Sequence, residues 1–486
     1  MAVENSLERA DSSCDEDGHS RRTGTLWTCV AHIITAVIGS GVLSLSWSTS
    51  QLGWIAGPVS MLCFAIVTYV SAFLLSDCYR SPHPVTGTRN YSYMDAVRVN
   101  LGKTPNPTYS HHQFFVLFHV EFLCFGASSG EKQTWVCGFL QYFSMFGTGI
   151  AYTITTSTSL RAIQKSDCYH KKGQNAPCAY GDNFYMLMFG VVQIVFSQIP
   201  DFHEMAWLSV VAAIMSFTYS SIGFVLGLAK VIGNGMIKGG ISGVPMPSKA
   251  QKVWRVSQAL GDIAFAYPYS LILLEIQDTL KSPPPENQTM KRASMISIFL
   301  TTFFYLSCGC FGYAAFGNAT PGNLLTGFGF FEPYWLIDFA NACIVVHLVG
   351  GYQVYSQPVF AFADRLAASI YPNSGFVNKF YTIKLPLLPP YKLNFFRLCF
   401  RTAYVATTTG LSMFFPFFNE VLGVLGALNF WPLAIYFPVE MYFMQKKIST
   451  WTRRWVVLKF FSIGCLLVSI YALIGSVEGV ISKKIG

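Results

Sequence analysis

The chain has 486 residues, of which 52% are hydrophobic and only 12% are charged, and its mean hydropathy is +0.41. Soluble proteins carry about 25% charged residues, so this composition excludes an ordinary soluble protein and indicates a protein of the lipid bilayer. The net charge of +9 lies in the loops, where it reports membrane topology and does not indicate nucleic-acid binding.

Hydrophobic runs predict about eleven membrane-spanning helices, and most of them reach the roughly 20 residues needed to cross the hydrocarbon. The fold class that follows is an all-α polytopic membrane protein. The predicted spans are 26–51, 54–75, 134–163, 184–199, 207–232, 253–277, 295–316, 334–370, 398–415, 421–444 and 455–480.

The distribution of Lys and Arg predicts the orientation of the chain. With the N-terminus in the cytosol, about two-thirds of these residues fall on the cytosolic side, where basic residues are expected. They are concentrated in 80–132, 365–401 and 446–459. We therefore predict a cytosolic N-terminus and, with an odd number of spans, an extracellular C-terminus.

One membrane domain occupies most of the chain. Residues 1–25 are polar and acidic and are predicted to form a disordered cytosolic tail. Residues 26–480 form the transmembrane domain, and 481–486 a short extracellular tail. Within a cytosolic loop, 103–130 is an atypical insertion whose apolar stretch is too short to span the membrane.

Two of the thirteen cysteines, Cys168 and Cys178, lie in a polar loop that the predicted topology places outside. An oxidising compartment favours a disulfide between them. The alternative is two free thiols in the loop. Most of the other cysteines lie in or beside spans, where cysteine behaves as a small apolar residue.

The first and sixth spans are each interrupted. Gly39-Ser40-Gly41 lies at the centre of the first span, and each glycine weakens a helix by about 1 kcal/mol relative to alanine. Pro268 removes a backbone donor from the sixth. Taken separately, these features are also typical of close helix packing and of simple kinks. Together, five spans apart, they predict a five-plus-five inverted repeat with broken helices 1 and 6 around a binding site.

The opened helices offer groups suited to an α-amino acid. N–H groups from Ser40 to Val42 begin a half-helix whose positive end favours a carboxylate. Carbonyls beside both breaks suit an ammonium group or a cation. Phe265 and Tyr267 are candidates for a side-chain wall, with ordinary apolar packing as the alternative. The predicted substrate-binding residues are Ile38, Gly39, Ser40, Gly41, Val42, Phe265, Ala266, Tyr267 and Ser270.

Three ionisable residues inside spans, His32, His347 and Asp262, are candidates for proton coupling. Ionisable side chains are costly in the bilayer and mark functional sites. Histidine titrates near physiological pH, which suits proton exchange. For each histidine, a neutral hydrogen-bonded core residue is the alternative.

Enzyme motifs are absent from the sequence. It contains no Walker A motif, and no HExxH or GxSxG motif in a suitable context, so neither an ATP-driven pump nor an enzyme is indicated. No metal site and no cofactor are predicted, and the proton is the expected coupling ion, with sodium left open. The expected partners are amino acid substrates and the lipid bilayer, and nothing points to a protein partner.

Several long motifs resemble those of the plant amino acid permeases, in the amino acid/auxin permease family. The resemblance extends from Gly24 to Gly479. Among the motifs are GTLWTCVAHIITAVIGSGVLSLSWSTSQLGWIAGP from Gly24, FSQIPDFHEMAWLSVVAAIMSFTYSSIG from Phe196, QALGDIAFAYPYSLILLEIQDTLKSPP from Gln258 and FWPLAIYFPVEMYFMQKKI from Phe430.

The resemblance implies a proton-coupled amino acid symporter of the plasma membrane. It implies the five-plus-five inverted-repeat fold plus an eleventh span, with alternating access around a central site. The broken parts at 38–42 and 265–270 would hold the substrate backbone. His32 of the AHIITAVIGSG motif and His347 of the IVVHLVGGYQVYSQP motif would couple the proton or contact the substrate.

Other functions remain beside this one. A permease for another small carboxylate, such as auxin, would replace the ammonium site by an indole pocket. A sensor would bind amino acids without moving them, but sensors usually carry large cytosolic segments. A channel is disfavoured because paired broken helices indicate an occluded site.

Two features depart from the family pattern. Pro268 stands where the family usually has a small residue such as serine, and it is expected to stiffen the break. Residues 103–130 separate two motifs that are almost continuous in the family. Joining Gly102 to Glu131 gives NLGEKQTWVCGFLQYF, so our hypothesis is that 103–130 is translated from a retained intron or a gene-model error.

Overall fold

The computed structural model describes residues 22–102, 129–173, 176–199, 206–329, 334–383 and 391–485. Most of the predicted tail 1–25 and most of the insertion 103–130 lie outside these ranges. The helices are α1 Leu26–Val37, α2 Gly41–Asp77, α3 Tyr93–Leu101, α4 Ser129–Lys172, α5 Asn183–Phe196, α6 Ala206–Asn234, α7 Lys249–Ala266, α8 Ser270–Gln277, α9 Glu286–Phe316, α10 Tyr334–Ile370, α11 Gly375–Asn378, α12 Phe395–Phe414, α13 Phe418–Trp431, α14 Phe437–Gln445 and α15 Arg453–Ile485.

Short irregular elements connect these helices. Two antiparallel hairpins are formed by β1 Arg80–Ser81 with β2 Thr88–Arg89, and by β3 Tyr381–Ile383 with β4 Tyr391–Leu393. The 3-10 turns Gly317–Ala319 and Leu324–Phe328 lie between α9 and α10, and the π-turn Pro432–Tyr436 joins α13 to α14.

Polar caps fix where several helices begin. Thr25 accepts from the Thr28 N–H at the start of α1, and Ser92 accepts from the Asp95 N–H at the start of α3. Ser248 caps α7, and Asn394 caps α12. Each cap satisfies a backbone donor that the first helical turn leaves without a partner.

The first predicted span is divided between α1 and the beginning of α2, with the interruption at 38–40. α2 then bends at Gly53, whose φ of +86° favours glycine, and continues as the second span. The loop after α6 packs into this bend, and the Val244 N–H donates to the Ser50 carbonyl at 2.8 Å.

The sixth and tenth spans are interrupted as well. α7 and α8 are separated at 267–269, around Pro268, as the sequence predicts. The tenth span changes to a π-turn at Pro432 before α14 begins. That second interruption was not predicted, although Pro432 carries the same kind of signal.

The order of the helices matches the order of the eleven predicted spans, with α2 containing the second half of the first span and all of the second. Within the described residues, seven segments are long and apolar enough to cross a membrane, and α1 and α5 are shorter apolar helices. The prediction of an all-α polytopic membrane protein is therefore confirmed. α15 continues to Ile485, so most of the predicted C-terminal tail extends this helix. Lys483 and Lys484 lie in its last turn, where positive charges stabilise the negative end of the helix dipole.

The sixth span lies near the centre of the helix bundle. In the most apolar window of Lys249–Gln277, 78% of the residues are buried, against 22% for Arg453–Lys484 at the periphery. α7 contacts α2, α13 and α15, while α1 contacts α6, α9 and α10. The two predicted breaks are thereby enclosed by protein, where unpaired backbone groups are tolerated.

Candidate functional site

A small cavity of about 30 Å³ lies where the first and sixth spans are interrupted. α4, α10 and α13 complete its wall. Among the described residues, no charged side chain lines it. The lining residues are Ala36, Val37, Gly39, Ser40, Gly41, Ser144, Thr148, Tyr152, Ala264, Phe265, Pro268, Ser270, Leu271, Tyr355, Leu425, Gly426, Asn429, Phe430 and Leu433.

The two glycines of the first break have different packing roles. A Cβ placed on Gly39 would lie 2.7 Å from the hydroxyl oxygen of Tyr152. A Cβ placed on Gly41 would lie 2.9 Å from the Cβ of Ala266. Gly39 therefore leaves room beside a cavity-lining tyrosine, and Gly41 lets the two interrupted spans approach each other.

Three buried polar atoms of the cavity lining have no hydrogen-bond partner among the described residues. They are the hydroxyl oxygens of Ser40 and Ser270 and the Oδ1 of Asn429. The Asn429 Nδ2 donates to the Leu425 carbonyl at 2.6 Å, which leaves the acceptor oxygen for another group. Buried polar atoms are normally paired, so these three are available to hydrogen-bond with water or with a polar group that enters the cavity.

The hydroxyls of three tyrosines, Tyr355, Tyr219 and Tyr305, contact the carbonyls at the end of α1. The Tyr355 hydroxyl donates to the Ala36 carbonyl at 2.9 Å. The Tyr219 hydroxyl lies 2.8 Å from the Ile38 carbonyl and 3.0 Å from that of Gly39. These contacts partly occupy the carbonyls that the sequence assigned to an ammonium group.

Tyr305 links the two breaks to each other. Its hydroxyl lies 2.5 Å from the Val37 carbonyl in the first span and 2.9 Å from the Ala266 carbonyl in the sixth. One phenol therefore joins the carboxyl ends of both first half-helices. Sequence reasoning missed this residue and the other two tyrosines.

The predicted substrate-binding residues divide into two groups. Gly39, Ser40, Gly41, Phe265 and Ser270 line the cavity. The other four do not line the cavity. The carbonyls of Ile38 and Ala266 accept from tyrosine hydroxyls, and Val42 is buried. Tyr267 packs edge-on against Tyr305, with the ring centroids 4.9 Å apart.

Both histidines contact α6 instead of the cavity. The Nδ1 of His32 lies 2.9 Å from the Ser209 hydroxyl, and the Nδ1 of His347 lies 2.8 Å from the Ala212 carbonyl. The Nε2 of His347 is buried without a hydrogen-bond partner among the described residues. The histidines thus connect α1 and α10 to neighbouring turns of one helix.

Asp262 lies on α7 two residues before Ala264, the first residue of the sixth span that lines the cavity. Its side chain is fully buried and does not line the cavity. The three predicted proton-coupling residues therefore occupy separate places, two beside α6 and one on α7 next to α2 and α13.

Cys168 and Cys178 form a disulfide, with their Cα atoms 6.0 Å apart. They are the pair that the sequence singled out. Cys168 lies in the last turns of α4, and the bond closes the connection towards α5.

Comparison with known proteins identifies the family. Residues 22–482 match the family described as transmembrane amino acid transporter protein. The chain is 58% identical to the probable amino acid permease 7 of Arabidopsis thaliana, over 97% of this chain and 96% of that one. It is 54% identical to amino acid permease 3 of the same plant, over 99% and 96% of the two chains.

Solved structures show the fold. The crystal structure of MhsT in complex with L-phenylalanine matches 93% of this chain and 99% of its own, with a TM-score of 0.53 and 11% identity. Mhp1, a nucleobase-cation-symport-1 family transporter, matches 95% and 92% with a TM-score of 0.50 and 12% identity. The family match over 22–482 and the Arabidopsis relatives show that the chain belongs to the transmembrane amino acid transporter family, among the plant amino acid permeases, which are transporters and not enzymes.

Proposed function

We propose that this protein imports amino acids across the plasma membrane by symport with protons, using the central cavity for alternating access. The observation that carries the proposal is the uncharged cavity between two interrupted spans, with unpaired polar atoms in its lining. A ligand that brings both charges of its own, such as a zwitterion, suits such a cavity.

The substrate carboxylate is proposed to bind at the beginning of α2. The backbone N–H groups of Ser40 and Val42 have no backbone acceptor among the described residues, and the Ser40 hydroxyl is unpaired. The positive end of the helix dipole adds to this attraction for an anion.

The substrate ammonium is proposed to bind the remaining acceptors. Carbonyls at the end of α1 already accept from tyrosine hydroxyls, but each carbonyl oxygen has two lone pairs. The Oδ1 of Asn429 supplies a further acceptor within the same cavity. Phe265, Phe430 and Leu433 then form an apolar wall for the substrate side chain, which favours neutral amino acids over charged ones.

Proton coupling is proposed from the ionisable residues that lie inside the spans. His32, His347 and Asp262 are all nearly or fully buried. Ionisable side chains inside a membrane usually take part in the function of the protein, for example in proton transfer. Import is proposed with the N-terminus in the cytosol. That orientation places the Cys168–Cys178 disulfide on the oxidising side of the membrane.

Uptake of labelled amino acids by cells that express the protein tests the proposal. We expect uptake that rises as the external pH falls between about pH 8 and about pH 5, the range in which histidine titrates, and that does not require sodium. Neutral amino acids should compete, and indole acetate should not. Uptake that depends on sodium and ignores pH would overturn proton coupling, whereas binding without uptake would indicate a sensor.

A further inference from the structure

Asp262 is a fully buried acid whose hydroxyl neighbour, Ser48, also bonds to the Ser44 carbonyl. It is 0% exposed, and neither carboxylate oxygen has a hydrogen-bond partner of standard geometry among the described residues. The Ser48 hydroxyl of α2 lies beside it but donates to the Ser44 carbonyl at 3.2 Å. Burying an ionised carboxylate without donors is costly, and protonation removes that cost.

Small residues of α13 and α15 face the acid. A Cβ placed on Gly423 would lie 3.2 Å from the Oδ1 of Asp262 and 2.6 Å from the Ser476 hydroxyl oxygen. The glycine therefore brings the α13 backbone up to the carboxyl group, with a hydroxyl of α15 alongside.

Gln258 continues the polar surface of α7 towards its N-terminal end, one turn from Asp262. This side chain is 1% exposed, its Oε1 accepts from Arg255 at 3.2 Å, and its Nε2 has no partner among the described residues. Gly479 of α15 faces it, since a Cβ there would lie 3.3 Å from Oε1. Polar groups thus follow one line along the contact of α7 with α15.

Glu420 lies at the outer end of this line. Its side chain is only 2% exposed, and it pairs with Lys483 at 3.0 Å and with Arg255 at 4.0 Å. Those two cations are 47% and 40% exposed. The charged groups that face Asp262 are Glu420 from α13 and Lys483 from α15, while α2 presents Ser48.

We propose that Asp262 binds the transported proton, and that the proton reaches it from the outer surface past Glu420 and Gln258, between α7, α13 and α15. This route is separate from the substrate cavity. The inference rests on the proton coupling proposed above, and it selects one acid and one path for it.

The same helix contact connects Asp262 to the substrate. A Cβ placed on Gly426 would lie 2.1 Å from the Gly261 carbonyl oxygen and 2.4 Å from the Phe265 nitrogen. Gly426 and Phe265 both line the cavity. A movement of α13 away from α7 therefore widens the substrate site and exposes Asp262 at the same time.

Proton binding follows from this connection. A proton from outer water adds to the Asp262 carboxylate and gives the neutral acid, with no other bond formed or broken. The neutral acid is stable in a dehydrated contact between α7 and α13, so this contact forms and the cavity closes over its substrate. After the proton leaves on the cytosolic side, the carboxylate favours a hydrated, separated arrangement.

Transport by the purified full-length protein in liposomes tests the route. Asp262→Asn keeps the size of the side chain and removes the titrating group. We expect it to retain amino acid counterflow at equal pH on both sides and to lose accumulation driven by an inward proton gradient. Asp262→Glu should restore part of the gradient-driven accumulation.

Glu420→Gln provides a second variant that leaves Asp262 intact. Without the acid at the outer end, the exposed lysine repels incoming protons. We expect half-maximal uptake to require about tenfold more external protons, equivalent to one pH unit. The matched control is Glu478→Gln, on α15 but outside the polar line, where the carboxylate accepts from the Ser482 hydroxyl at 2.6 Å.

The results of these experiments distinguish a failure of the proposed proton route from a failure of the proposed function. Gradient-driven accumulation by Asp262→Asn, or identical proton dependence of Glu420→Gln and Glu478→Gln, would overturn the route while wild-type coupling stands. A wild-type protein that ignores the proton gradient would overturn the proposed function, and the route with it. Should Asp262→Asn fail to fold, the comparison of Glu420→Gln with Glu478→Gln decides.

Discussion

Gly41 lies against Ala266 so closely that a Cβ on the glycine would be 2.9 Å from the Cβ of the alanine. The contact joins the start of α2 to the end of α7. The two interrupted spans therefore meet directly at the cavity, and their separation is set by a residue that has no side chain.

Gly41→Ala should impair transport more than it impairs folding. Overpacking of this kind costs about 1–3 kcal/mol, and here it separates two walls of the binding site. We expect the initial rate of amino acid uptake to fall by at least about tenfold, which corresponds to about 1.4 kcal/mol. Gly410→Ala in α12 is the control, because a Cβ there meets no described atom within 4 Å. Equal uptake by the two variants would refute the role of the contact.

Tyr305→Phe should weaken the link between the breaks. The variant loses the hydroxyl near the Val37 and Ala266 carbonyls, and a buried polar group left unpaired costs about 1–3 kcal/mol. Initial uptake rates should therefore drop clearly. Tyr313→Phe, on the same helix, removes a hydroxyl that bonds to the Gly240 N–H at 2.8 Å, and it should transport normally. A similar loss in both variants would mean that Tyr305 acts only through general stability.

The breaks themselves were predictable because their signals are local. Glycines at 39 and 41 and proline at 268 disfavour a continuous helix whatever surrounds them. Pro432 carries the same local signal, and the tenth span changes to a π-turn there. That interruption was not predicted, because only the first and sixth spans were paired as an inverted repeat.

The tyrosines and Asn429 were not predictable in this way. Tyr305 reaches the first break across 268 positions of sequence, and Tyr355 reaches it across 319. In an apolar span, a tyrosine at either position carries no local signal that distinguishes packing from function. His32 and His347 were singled out because they are ionisable residues within spans, but only the tertiary structure shows that both contact α6 rather than the cavity.

Ser40→Ala tests the proposed carboxylate site. A hydrogen bond to a charged group contributes about 1.5–3 kcal/mol, so the KM for neutral amino acids should rise by about tenfold or more. Ser46→Ala is the control, because Ser46 lies six residues further along, in α2, and its hydroxyl donates to the Cys308 carbonyl at 2.8 Å, away from the cavity. It should leave KM unchanged. An unaltered KM in Ser40→Ala would remove this hydroxyl from substrate binding.

Deletion of 103–130 should leave a functional transporter. A Cβ placed on Gly130 would lie 2.5 Å from the Cα of Gly102, so α3 and α4 already meet where the deletion joins them. We expect the shortened chain to reach the membrane and to take up amino acids at least as fast as the full chain. Sequencing of transcripts tests the retained-intron hypothesis directly, because transcripts that consistently encode the segment would contradict it. Loss of uptake on deletion would show that the segment is needed.

The Cys168–Cys178 disulfide provides a test of orientation as well as stability. The bond closes a short loop, and removing such a bond typically costs about 2–4 kcal/mol, so Cys168→Ser/Cys178→Ser should unfold at a lower temperature in detergent. In intact cells, a reductant that does not cross membranes should open the bond and expose two thiols to an impermeant maleimide. The free cysteine Cys399 at the start of α12 lies on the other side of the predicted topology and should be labelled only after the cells are permeabilised. Labelling of Cys399 alone in intact cells would reverse the orientation, and with it the direction assigned to the proton route.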